Sequence, residues 1–212
     1  MWDGQIKVIT GIRRAGKSTL LFDLFYNYLI DNGIYKENII TLQLDKRKDA
    51  KYRNPIVLAE FVEKQILKST EKFYLFIDEI QFCYSVPDPD NAGFVITIYD
   101  MLNELKDYKN LDVYVTGSNS KMLSKDISTE FRGRSSQIHV YPLSFAEFMS
   151  VYKGDKYEGL SEYMLYGGIP LVVLRDGANE KAAVLQNLFD ELYITDIFKR
   201  NRVKNQGELE DL

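Results

Sequence analysis

Eight residues, Gly11-Ile12-Arg13-Arg14-Ala15-Gly16-Lys17-Ser18, constrain this chain more than any other stretch. They fit G-x-x-x-x-G-K-[ST] at every fixed position. Ile6 to Thr10 ahead of them reads as a short buried strand. Thr19 to Phe25 behind them reads as a helix with apolar residues at i, i+3 and i+4. A strand, a glycine loop and a helix are the context this motif requires.

The chemistry follows from the backbone. Gly11 and Gly16 permit conformations and close approach that a side chain would block, so consecutive N–H groups can turn inward on phosphate oxygens. A helix beginning near Lys17 adds its unpaired N–H groups and the positive end of its dipole. Lys17 is placed to reach the β- and γ-phosphates of a nucleoside triphosphate, and the Ser18 hydroxyl to ligate Mg²⁺. The competing reading, a strand–turn–helix joint with incidental glycines, makes the pattern a chance match of roughly one in a hundred in a chain this long.

The rest of the chain alternates. The first helix runs to about Ile30 and stops at Asp31-Asn32-Gly33. Ile39 to Leu44 reads as a second strand, Lys46 to Asn54 as a charged loop, and Pro55 opens a helix. Phe73 to Ile77 is an unbroken apolar run, as expected of a central parallel strand buried on both faces. The segment Ser85 to Asn91, with two prolines, reads as an irregular exposed loop. Ile98 to Leu105 reads as a helix, and Leu111 to Thr116 and Ser136 to Tyr141 as strands. Such alternation predicts an α/β domain on a parallel sheet, with the loops after the strands at one ligand-binding edge. After Pro142 the pattern turns helical: Phe145 to Val151, Leu160 to Tyr166, and Asn179 to about Arg200, interrupted at Gly167-Gly168-Ile169-Pro170. The division is therefore expected as 1–142 for the core and 143–212 for a helical lid or extension, truncated at its C-terminal end.

Composition narrows the classes. With 45% hydrophobic residues there is ample material for a core, and a net charge of −4 gives no global reason to bind nucleic acid. The basic cluster Lys199, Arg200, Arg202 and Lys204 could touch nucleic acid, but it reads first as a solvated helix end. Cys83 is the single cysteine, which excludes an internal disulfide and suits a reducing cytoplasm. No apolar run approaches the roughly 20 residues of a membrane span. The lone histidine, His139, has no cysteine or histidine cluster near it to make a zinc site.

Three further pieces complete a candidate site. Asp78, closing an apolar strand, would hold the Mg²⁺ shell through water, and Glu79 beside it would polarise an attacking water as general base. Ser118 and Asn119, at the tip of another strand, can orient that water without adding charge, although Gly-Ser-Asn-Ser is also ordinary turn chemistry. Arg132 and Arg134 precede the last strand, and a guanidinium reaching a γ-phosphate stabilises the charge spreading in the transition state.

Together, the glycine loop with Thr19-Leu20-Leu21, Phe-Ile-Asp-Glu-Ile-Gln, Val-Thr-Gly-Ser-Asn-Ser and Phe-Arg-Gly-Arg ahead of Val-Tyr-Pro-Leu-Ser-Phe resemble the AAA-type P-loop ATPases. More narrowly, with Tyr-Gly-Gly-Ile-Pro and Tyr-Ile-Thr-Asp-Ile, the chain looks like a large prokaryotic group of predicted ATPases whose C-terminal part is a domain of unknown function. The resemblance spans about residues 5 to 200. It implies a P-loop NTPase three-layer parallel sheet of the additional-strand, conserved-glutamate type, followed by a small all-helical extension. By position it makes Gly11, Ile12, Arg13, Arg14, Ala15, Gly16, Lys17 and Ser18 Walker A, with Thr19 beside the nucleotide. Asp78 and Glu79 become Walker B, Asn119 or Ser118 sensor one, and Arg132 or Arg134 the arginine finger. Longer members continue into winged-helix-like or nuclease-like segments, so nucleic-acid contact is expected only through such regions.

The leading functional expectation is a Mg²⁺-dependent ATPase that couples hydrolysis to conformational change, with ATP and Mg²⁺ as ligands and an unidentified protein partner. ATP is expected over GTP because no Asn-Lys-x-Asp string follows a candidate strand. A small-molecule phosphotransferase would need an acceptor pocket that no stretch of the sequence suggests. A slow nucleotide-gated switch or scaffold, whose output is partner binding, is the alternative from another class. A last strand on the far flank of the sheet would keep Arg132 and Arg134 from their own γ-phosphate. A homo-oligomer would then supply the arginine across a subunit boundary.

Overall fold

The computed structural model describes residues 2–117, 131 and 133–190, in two compact units that divide between Tyr141 and Pro142. Asn119, Ser118, Arg132, and the last expected helix beyond residue 190 lie outside the described residues.

The first unit is a five-stranded parallel sheet in the order β2-β3-β6-β1-β7. Its strands are β1 (Ile6–Thr10), β2 (Ile39–Gln43), β3 (Phe73–Asp78), β6 (Leu111–Thr116) and β7 (Ser135–His139). β6 lies between β1, which leads into the glycine loop, and β3, which ends in Asp78. That interposed strand is the mark of the additional-strand class.

The period-2 alternation of these strands feeds two apolar layers. Ile6, Val8, Leu75, Ile77, Val113 and Val115 face Leu58, Val62 and Ile66 of the helix Pro55–Ile66 and Leu102 of the helix Ile98–Leu105. Ile9, Tyr74, Phe76 and Tyr114 face the helix that follows the glycine loop, through Leu21, Phe25 and Leu29. Both covering helices start where the sequence gives them a cap. Asn54 accepts from the Ile56 and Val57 N–H groups ahead of Pro55, and Thr97 forms a capping box with Asp100. The one charge inside β1, Lys7, is buried but paired, at 2.6 Å from both Asp3 and Asp112, which offsets the cost of taking its ammonium out of water.

Four expectations need correction. The last strand is an edge strand, but it pairs directly with β1 over its whole length, Ile6 opposite Ser135 to Thr10 opposite His139. The segment Lys46 to Asn54 contains a 3₁₀ helix, Arg47–Arg53, which buries Asp49 and Tyr52. Ser85 to Asn91 is irregular except at β4 (Val86–Pro87), which pairs antiparallel with β5 (Val95–Ile96). The helix after the glycine loop winds as α over Lys17–Thr19, π over Leu20–Phe25 and α again over Tyr26–Asp31.

The second unit is helical: Phe145–Val151, Lys156–Tyr166, Pro170–Val173 and Ala178–Asp190. Phe145, Phe148, Tyr152 and Tyr163 stack together inside it. The paired glycines have a steric cause. Gly167 ends its helix at φ 72°, and a Cβ on Gly168 would sit 2.0 Å from the Leu143 carbonyl oxygen. Gly168 accepts the Leu143 N–H at 2.7 Å, while the Tyr163 hydroxyl donates to the Leu143 carbonyl at 2.8 Å. No helix among the described residues is long and apolar enough to cross a membrane.

Candidate functional site

The glycine loop leaves the C-terminal end of β1 and returns as a helix N-terminus. Gly11 takes φ 145°, where an added Cβ would meet the Val140 carbonyl oxygen at 2.2 Å. Gly16 is the helix N-cap at φ 99°, with open space around its Cα. Arg14 is also left-handed, at φ 64°, so the loop's turns do not rest on glycine alone. Ala15 is buried, Arg13 is half-buried, and Ile12, Arg14, Ser18 and Thr19 are exposed.

Lys17 is turned inward within the loop. It is 5% exposed, and its ammonium donates to the carbonyls of Gly11 and Ile12, each at 3.0 Å. Burial pulls its pKa below the ordinary lysine value, against the attraction of Glu79 and Asp78.

Those acids come from β3, one strand beyond the neighbour of β1. Asp78 is buried, and its burial raises its pKa above the ordinary carboxylate value. Hydrogen bonds from Thr116 and Ser18 pull the other way. Lys17, Ser18 and Asp78 are thus brought together with Glu79, the first residue outside the strand. Glu79 is left-handed, at φ 57° and ψ 54°, an uncommon conformation for a residue with a side chain.

Thr116 is the participant that the sequence reading missed. It is fully buried at the end of β6, donates from Oγ1 to Asp78 Oδ1, and accepts the Glu79 N–H at 3.3 Å. A threonine closing an apolar strand carries no local signal of this. Only the β3–β6 register, Ile77 opposite Val115, brings its hydroxyl to both acids.

Arg134 is exposed and stands at the opposite end of the sheet. Its carbonyl accepts the Ile6 N–H at 3.0 Å, so the five residues of β1 separate it from the glycine loop. At about 3.3 Å per residue this is well beyond the reach of one side chain. His139 lies near the loop end of β7, its Nδ1 3.1 Å from the hydroxyl of Thr10.

The two loop glycines predict unequal damage. Gly11→Ala meets both an unfavourable φ and a backbone oxygen, whereas Gly16→Ala meets only the φ, a strain of about 1–2 kcal/mol. Thermal melting should fall further for Gly11→Ala than for Gly16→Ala. Equal melting temperatures would count against the Gly11–Val140 contact.

A hard-oxygen donor set of one hydroxyl and one carboxylate, already hydrogen-bonded to each other, suits Mg²⁺ beside a triphosphate. The comparisons agree with the fold. The AAA domain model matches residues 3–149. An uncharacterised protein of Haemophilus influenzae is 36% identical over 205 residues, covering 94% of this chain and 48% of its own length. An uncharacterised protein of Methanocaldococcus jannaschii is 31% identical over 225 residues, covering 98% of this chain and 45% of its own. The chain therefore spans about half the length of these relatives. Among solved structures, a Walker-type ATPase of Pyrococcus abyssi superposes with a TM-score of 0.56 at 15% identity, over 94% of this chain and 71% of that one. The interposed strand, the glycine loop and the matched family model lead to one assignment: the chain belongs to the AAA domain family and has the fold of an AAA-type P-loop ATPase.

Proposed function

We propose that this domain binds ATP with Mg²⁺, hydrolyses the β–γ phosphoanhydride, and passes the change to the helical unit and to a protein partner. The observation that carries the reading is the convergence of Lys17, Ser18, Asp78 and Glu79, with Thr116 between the two acids. In this reading the loop N–H groups and the Lys17 ammonium hold the β- and γ-phosphates. Ser18 would hold Mg²⁺ directly and Asp78 through its hydration shell, and the bound ion would supply neutralisation of phosphate charge. Glu79 takes a proton from water as the water oxygen attacks the γ-phosphorus, and ADP departs with the electrons of the broken bond. Asn119 is the proposed water-orienting amide, and a cytoplasmic setting accords with the single cysteine.

Thermal-shift binding with ATP, ADP and GTP, each with and without Mg²⁺, tests the ligand. The expected result is stabilisation by ATP and ADP that deepens with Mg²⁺, with little from GTP. Steady-state turnover tests the chemistry, because a nucleotide-gated switch would bind ATP yet release almost no phosphate.

Arg134 stands at the far end of β1 from the glycine loop, which favours an arginine supplied by a second copy over one from the same chain. Specific activity should then rise with protein concentration, because the transition-state charge is stabilised only where two copies meet. Arg134→Ala should bind ATP normally and turn over slowly. Mixing it with Lys17→Ala should restore part of the activity, since one copy keeps the nucleotide site and the other keeps the arginine. Activity independent of concentration, without rescue on mixing, would sink the shared site.

A further inference from the structure

Glu79 is held both through its main chain and through its side chain. Its N–H donates to Thr116, and its Oε2 accepts a hydrogen bond from the Gln81 side-chain amide. The second contact comes from the way the chain leaves β3. Glu79 is left-handed and leads into a 3₁₀ turn, Ile80–Phe82, closed by Phe82 N–H to the Glu79 carbonyl and Cys83 N–H to the Ile80 carbonyl, each at 3.0 Å. Ile80 is fully buried and pins the turn to the core, while Gln81, the next residue, is exposed on the side of Glu79.

We propose that Gln81 is a positioning residue for hydrolysis, its amide fixing the plane of the Glu79 carboxylate so that the base is aimed at the attacking water. The proposal rests on the ATPase reading above. A glutamate side chain turns about three bonds beyond its Cα, and a general base works only when its oxygen lies within hydrogen-bond reach of the proton it takes. Thr116 fixes where the Glu79 main chain stands but not where its carboxylate points. Gln81 bonds to the carboxylate itself. Being neutral, it anchors one oxygen without the positive charge of a lysine or arginine, which would compete with water for the carboxylate. The left-handed backbone at Glu79 gains a use by the same account. It starts the turn that brings residue 81 back alongside residue 79, and so holds the base and its orienter on one short, core-anchored segment.

Single-turnover hydrolysis and ATP titration of the full chain test this. The variants are Gln81→Ala and Gln81→Glu, each alone and combined with Glu79→Gln. Gln81→Glu keeps the shape but, ionised, has no proton to donate. Both single variants should slow hydrolysis about tenfold to a hundredfold, the scale of a mispositioned catalytic group, while ATP affinity stays within about twofold. Neither should slow the Glu79→Gln protein further. A Gln81→Glu protein with the wild-type rate overturns the role, because shape alone would then suffice. So does a Gln81→Ala protein that is as fast as wild type or faster, which would make the amide inert or a brake. An added loss in the Glu79→Gln background also overturns it, since Gln81 would then act elsewhere. A wild-type chain without turnover overturns the ATPase reading and this role with it, whereas turnover unchanged by both Gln81 variants overturns the role alone.

Discussion

Lys17→Ala should lose ATP affinity by about a hundredfold or more while keeping the fold. A hydrogen bond to a charged group contributes about 1.5–3 kcal/mol, and each 1.4 kcal/mol is tenfold in binding, so two lost contacts to phosphate oxygens reach that scale. The structure adds a second consequence. The ammonium donates to the carbonyls of Gly11 and Ile12, and together with the left-handed Arg14 and Gly16 these contacts shape the loop. Removing them leaves the Gly11 carbonyl without this donor in a buried setting, at a stability loss of about 1–3 kcal/mol. The variant should therefore melt a few degrees lower and still show one cooperative transition. Isothermal titration with ATP and Mg²⁺ checks the affinity. Wild-type affinity in this variant would mean that the loop does not hold the triphosphate.

What the sequence made legible, and what it hid, divides along a physical line. Features set by neighbours in the chain were readable. The buried runs gave β1 and β3, Pro55 gave the start of the helix Pro55–Ile66, and the glycine loop gave the junction of strand and helix. Features set by strand order and register were not. Thr116 looked like the end of a strand, yet its hydroxyl joins both acids because β6 lies against β3. Arg134 was placed across the sheet from Lys17, when its separation instead runs along the strands, at the other end of β7's partner β1. The π winding of Leu20–Phe25 keeps an apolar pattern close enough to the α period to pass for an ordinary helix. The Val86–Pro87 strand was hidden because a proline and its acidic neighbours signal a loop, though proline is tolerated in a short strand at an edge. The family resemblance supplied the interposed strand, which no local pattern contained.

Glu79→Gln and Asp78→Asn should fail in different ways, although the two residues are adjacent. Glu79 is proposed to take the proton of the attacking water, and a general base contributes about 10²–10⁴ in rate. Its amide replacement keeps size and hydrogen bonding but cannot accept that proton. Glu79→Gln should thus bind ATP as wild type does and lose hydrolysis by that factor. Asp78 stands deeper, with Thr116 and Ser18 on its carboxyl, and is proposed to hold Mg²⁺. Asp78→Asn removes the negative charge that the cation requires, so nucleotide affinity and its Mg²⁺ dependence should fall together, with hydrolysis following. The pH dependence separates them again. Burial raises the Asp78 pKa, so as pH falls its carboxyl gives up its charge earlier than an exposed aspartate would. Mg²⁺-supported ATP binding in the wild type should then weaken on acidification already above the usual aspartate range. Asp78→Asn should flatten that part of the profile, while Glu79→Gln keeps it and moves it towards lower pH, because the Glu79 charge also raises the Asp78 pKa. Titrations with and without Mg²⁺ across this range, beside phosphate-release rates, read all three differences. Equal losses of affinity in the two variants would mean that the metal-holding and proton-accepting roles have been assigned to the wrong acids.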